Sequence, residues 1–99
     1  MSVVNQFSQR RGSNQVTTPA ATSASVTVNK EDKAVRLVNS GAGICYVRIG
    51  AGAQTATTAD LPVRSGSEII VRKATDQETV AYISAAGTTL NIATGEGGV

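Results

Sequence analysis

A change of texture at Ser23 marks where the chain begins to alternate. In SASVTVN, Ala24, Val26 and Val28 fall on one side while Ser25 and Thr27 fall on the other, the period of a half-buried strand. Asn29-Lys30-Glu31-Asp32 reads as a turn. KAVRLVN then sets Val35 and Leu37 against Arg36. After the small turn Ser40-Gly41-Ala42-Gly43, ICYVRIG sets Cys45, Val47 and Ile49 against Ile44, Tyr46 and Arg48. These two runs predict a hairpin, with Arg36 and Arg48 on the outward faces of adjacent strands.

Residues 50–60, GAGAQTATTAD, are small and polar and predict a loop carrying a short edge strand at Gln54 to Thr57. A turn at Ser65-Gly66-Ser67 precedes a strong strand with Ile69 and Val71 facing inward. Ala74 to Gln77 turns the chain again, and ETVAYISAA and TTLNIAT supply the last strands, separated by Ala86-Gly87. Val80, Tyr82, Leu90 and Ile92 are core candidates. No segment spaces apolar residues at three and four over three turns, so no helix is predicted. Short strands separated by turns every ~8–12 residues predict an all-β fold, a small β-sandwich or jelly-roll-like domain, with a small barrel as the structural rival.

From Met1 to Thr22 the pattern is missing. Ser, Gln, Asn and Thr dominate, and Val3, Val4, Phe7 and Val16 are the sizeable apolar points. Too little surface can be buried there to offset the entropy of ordering the backbone. The expected organisation is a flexible N-terminal arm over 1–22 that orders on assembly, a β-sandwich domain over 23–95, and a flexible tail over 96–99.

Composition sharpens this. A 99-residue chain with one Phe, two Tyr and no Trp must fill its core with small aliphatic residues. Domains below that size bury only about 60% of the surface their unfolded chains expose, so an assembly partner is expected to add contacts. A formal charge of +2, spread along the chain, leaves no electrostatic footprint for nucleic acid. The N-terminus lacks the apolar run of a signal peptide, and nowhere do ~18 apolar residues stand together. The expectation is a protein of a reducing cytoplasm that meets no membrane.

Candidate chemistry is thin. Cys45 lacks a histidine to activate it, since the chain has none, and reads as a small buried hydrophobe. The usual zinc sets are missing for the same reason, and no cofactor is expected. Lys30, Lys33 and Lys73 sit at turns or strand ends and read as solvated. Asp60, Glu68, Asp76, Glu78 and Glu96 are available for a carboxylate pair, but nothing in their spacing favours one. Gly41-Ala42-Gly43 and Gly50-Ala51-Gly52 lead to no Gly-Lys-Ser/Thr and open no helix, so they read as turn glycines. Tyr46 and Tyr82 could stack bases, but without a basic groove the signal is weak. The expected partner-binding residues are therefore Val3, Val4, Phe7, Arg10, Arg11 and Val16 on the arm, and Arg36 and Arg48 on strand surfaces.

Between Val35 and Gly98 the order VRLVNSGAGICYVRIG, TATTADLPV, SGSEIIVRK and ETVAYISAAGTTLNIATGEGG resembles small structural proteins of tailed-bacteriophage virions. The matching positions are Arg36, Val38, Asn39, Gly41, Tyr46, Val47, Arg48, Gly50, Ala81, Ala85, Ala86, Gly87, Thr88, Gly95, Glu96 and Gly97. The resemblance implies a noncatalytic part of the virion, a decoration or cement protein on the head whose partner is the major capsid protein. Assembly in the host cytoplasm and a homo-oligomer, dimer or trimer, are expected. A tail, neck or fibre-associated protein is the alternative within the virion. A small glycan-binding module is a second class, and an enzyme a distant third.

Overall fold

The computed structural model describes residues 6–98 and contains two antiparallel sheets packed face to face. Among the described residues nine strands appear in chain order: β1 Ser8–Gln9, β2 Gln15–Thr17, β3 Ala24–Thr27, β4 Ala34–Asn39, β5 Cys45–Gly50, β6 Leu61–Val63, β7 Glu68–Arg72, β8 Thr79–Ile83 and β9 Leu90–Glu96. One sheet runs β1-β9-β4-β7, with β2 also on β9; the other runs β3-β8-β5-β6. Both β1 and β2 lie antiparallel to β9, at Glu96–Gly95 and Ile92–Leu90 respectively, so together they form one edge strand interrupted by a turn.

Counted that way, each sheet has four strand positions, and the chain crosses between sheets at every connection except β5 to β6. This is the double-sheet arrangement of a jelly roll. The all-β sandwich expected from the alternation is the fold observed.

Inward faces follow the period-two pattern. Val35, Leu37, Cys45, Val47, Val63, Val80, Leu90 and Ile92 form the core, with Tyr82 and Val28 at its margins and Val26, Ile49, Ile69 and Val71 packed against it.

The predicted hairpin between KAVRLVN and ICYVRIG is not formed. Both edges of β4 are occupied, by β7 and β9, and β5 pairs with β6 and β8 in the opposite sheet. The Ser40–Gly43 connection is a corner between sheets, and Arg36 and Arg48 lie on opposite outer faces. A Cβ at Gly41 would strike Thr88 and the Thr89 backbone, so the corner closes only around a glycine. No strand forms at Gln54–Thr57; the Gln54 amide folds back to donate to the Ala51 carbonyl at 2.8 Å, over Gly50.

The arm expectation also changes. Ser8–Gln9 and Gln15–Thr17, assigned to a flexible 1–22 segment, are hydrogen-bonded to β9 of the same chain. At the other end β9 continues to Glu96, one residue into the expected tail.

Candidate functional site

At the end of β4 stands Asn39, fully buried at 0% exposure. Its Nδ2 donates to the carbonyls of Gly43 at 2.8 Å and Val63 at 2.9 Å; its Oδ1 accepts from the Gly41 amide at 3.2 Å and the Thr88 hydroxyl at 2.6 Å. Nearby, Ser84 Oγ donates to the Ile44 carbonyl at 2.7 Å. Asn39, Gly41 and Thr88, three of the positions that carry the phage resemblance, thus tie the corner between the sheets. Their satisfied hydrogen bonds mark them as architecture.

The opposite end of β4 is where the N-terminal segment is anchored. Arg10 grips Asp32 in a two-pronged ion pair, Nε to Oδ2 at 2.8 Å and Nη2 to Oδ1 at 2.9 Å. Asp32 is only 3% exposed. The Arg10 hydrogen bond holds its carboxyl below the usual carboxylate range, and Asp32 in turn raises the Arg10 guanidinium. Ser13 adds a reciprocal pair, its Oγ donating to the Thr94 carbonyl at 3.1 Å and accepting from the Thr94 amide at 3.2 Å. The Thr94 hydroxyl, also buried, lies near the Asp32 carboxylate and helps to lower its pKa, but makes no hydrogen bond of good geometry. Thr17 Oγ1 donates to the Leu90 carbonyl at 2.8 Å.

Lys73 lies near the same end and corrects the expectation of a solvated lysine. It is 3% exposed, with Nζ donating to the carbonyls of Lys30 at 2.9 Å and Ala74 at 3.2 Å. Burial lowers its pKa, against the opposing pull of Asp32.

Between the Arg10–Ser13 turn and the end of β3 opens a cavity of about 340 Å³, walled by Arg10, Arg11, Gln15, Thr27 and Asn29 over a Val28 floor. Gln15 Nε2 donates to the Thr27 carbonyl at 2.9 Å, tying β2 to β3 across the sheets. Among the described residues no three of His, Cys, Asp and Glu gather to hold a metal ion.

The expected partner-binding residues separate. Val3 and Val4 lie outside the described residues. Phe7 is half-buried, and its Cβ and Ile70 flank Gly98. Arg10 pairs with Asp32 from an exposed position, and Arg11 is exposed beside the cavity with no ion-pair partner among the described residues. Val16 is 67% exposed on the outer edge. Arg36 pairs with Glu68, which sits diagonally across on the neighbouring strand β7, opposite Val38. Arg48 pairs with Asp60 at 3.0 Å; the Thr57 amide is the main influence lowering the Asp60 pKa.

One surface had no sequence signal of its own. Register places Pro62, Tyr46 and Ile83 side by side across β6, β5 and β8, on the outward face of the second sheet. Ile44, also exposed, precedes β5 on the same face parity. Only strand pairing could reveal that row. Tyr82, the other candidate for base stacking, is buried in the core, which raises the pKa of its phenol.

No protein-family model matches the chain, and no curated protein does. Solved structures do. PirA superposes with a TM-score of 0.60 at 14% identity, over 86% of this chain and 95% of PirA. Bacillus endospore appendages, described as disulfide-linked pili, superpose at 0.51 with 17% identity, over 94% of this chain and 89% of theirs. Protein NMB1881 from Neisseria meningitidis superposes at 0.50 with 15% identity, over 96% of this chain and 88% of its own. At such identities the likeness is one of fold.

Proposed function

We propose that the chain is a noncatalytic structural protein of a tailed-phage virion, a decoration or cement protein that attaches to the outside of the head and bridges neighbouring capsomers as a dimer or trimer. The observation that carries this reading is the presence of apolar contact points on both outer sides of one small sandwich. Val16 stands out at the edge of the first sheet, and the Pro62-Tyr46-Ile83 row lies on the second. A bridging protein needs two such surfaces, whereas a single-ligand module needs one. Jelly rolls serve in viral capsids as well as in lectins and cupins, so the fold is compatible with the reading without selecting it. Cross-linking of the kind named for the endospore pili is no part of the proposal, because Cys45, the one cysteine, is buried at 0% exposure.

The test is a cryo-electron microscopy reconstruction of the particle encoded with this gene. Copies at the junctions between capsomers are expected. Density confined to the tail or neck would move the protein to that part of the virion, and its absence from the particle would overturn the proposal.

A further inference from the structure

We infer that the cavity beside the Arg10–Ser13 turn is a docking site for a single side-chain carboxylate presented by the partner protein. The inference rests on the bridging reading above and names the chemistry of one contact.

The lining holds two arginines and no acidic residue. Asp32, the nearest carboxylate to Arg10, is hidden behind that arginine, which spends Nε and Nη2 on it and keeps Nη1 free for a second acceptor. Arg11 brings a guanidinium with no ion-pair partner among the described residues. Asn29 accepts the Glu31 amide on Oδ1 at 2.9 Å, which leaves its Nδ2 as a neutral donor. Guanidinium groups fit carboxylates in fork-to-fork geometry, and the buried Val28 offers an apolar floor for the methylenes that carry one.

The same surroundings argue against a polyanion. A phosphate chain needs a run of cations along its path, and here one arginine is unpaired. The ligand that fits is one carboxylate, on a side chain small enough for about 340 Å³.

The test is an amide-resolved NMR titration of the full chain with the peptide acetyl-Gly-Glu-Gly-amide, its Gln counterpart, acetate and inorganic phosphate. The Glu peptide is expected to shift the amides of residues 10–13 and 27–29 saturably, and the Gln peptide to leave them in place. Arg11→Ala should weaken the Glu peptide by roughly fivefold to tenfold, the worth of one partly exposed charged hydrogen bond, with Arg11→Lys in between. Arg11 makes none of the contacts that anchor the segment, so these variants fold.

Equal shifts by the Gln peptide, tighter binding of phosphate, or an unchanged affinity in Arg11→Ala would each overturn the inference. Acetate binding as tightly as the Glu peptide would assign the site to a free small acid instead of a partner. The two proposals fail separately. Particles that carry Arg11→Ala at wild-type occupancy remove the docking role and leave the virion reading standing; particles that carry neither form remove the virion reading, whatever the titration shows.

Discussion

Replacing Asn39 with Ala tests how the two sheets are joined. The side chain makes four hydrogen bonds from a fully buried position, two of them to the carbonyls of Gly43 and Val63. Alanine supplies no donor, and neither carbonyl has open water beside it, since Gly43 and Val63 are themselves buried. A buried acceptor left unpaired costs about 1–3 kcal/mol, and the Thr88 hydroxyl, at a half-buried residue, recovers part of its loss from solvent. The expected destabilisation is about 3–5 kcal/mol. Set against the ~5–15 kcal/mol that holds a domain of this length together, that is a large share.

Urea unfolding followed by circular dichroism reads it directly. With m-values near 1–2 kcal/mol/M, the midpoint should fall by roughly 2–4 M while the slope stays constant. Asn39→Asp sharpens the test, because the carboxylate keeps the acceptor for Gly41 and Thr88 but turns the donor that served two carbonyls into a second acceptor. It should be at least as unstable as Asn39→Ala at neutral pH and recover in acid, where a protonated oxygen can donate again. A loss below about 1 kcal/mol in both variants would refute the idea that Asn39 joins the corner.

Two further outcomes follow from the buried groups. Asp32 has a folded-state pKa depressed by Arg10, so the stability it contributes is present above the ordinary carboxylate pKa of about 4 and is lost as pH falls through the lower folded value. Amide hydrogen exchange should show residues 10–17 losing protection in acid before β4 does; simultaneous loss would mean that the ion pair is no anchor. Cys45 is buried, and burial pushes its thiol up to about 11. A disulfide reagent near pH 8 should find one thiol in unfolded protein and none in native protein, and fast native labelling would contradict that burial.

What could be read from the sequence was what is local. Alternation identified the inward faces of β4, β5 and β9 because side-chain direction follows from position along a strand alone. Partnership does not. KAVRLVN and ICYVRIG look like a hairpin at close range, but the partners of β4 are β7 and β9, whose paired residues lie thirty or more positions away in sequence. Arg10 and Asp32 illustrate the same gap at the candidate site. They are 22 residues apart, one in a segment with no periodicity and the other in a turn, and only the folded chain brings them together. Residues 8–17 looked unable to order because they carry little apolar surface. They are held by other means: pairing to β9, the hydroxyls of Ser13 and Thr17, and one ion pair. Lys73 differs from its expectation for a related reason, since one of the carbonyls that accept its ammonium, that of Lys30, comes from a loop 43 residues away whose approach no pattern announces.

That pinning alters the energetics of the proposed attachment. A flexible arm that folds onto its partner gives up part of the gross contact energy to ordering, about 1–2 kcal/mol per backbone residue fixed. Residues 8–17 have met that cost within their own sandwich, on β9 and Asp32. Val16 and Arg11 therefore stand at the surface already positioned, and contacts through them keep more of their strength. The same logic limits how the segment can serve. Lifting it to pair with a neighbour would expose the edge of β9 and break the two-pronged Arg10–Asp32 ion pair. Attachment through residues 8–17 is thus best served by the segment staying where it is and presenting its outer side.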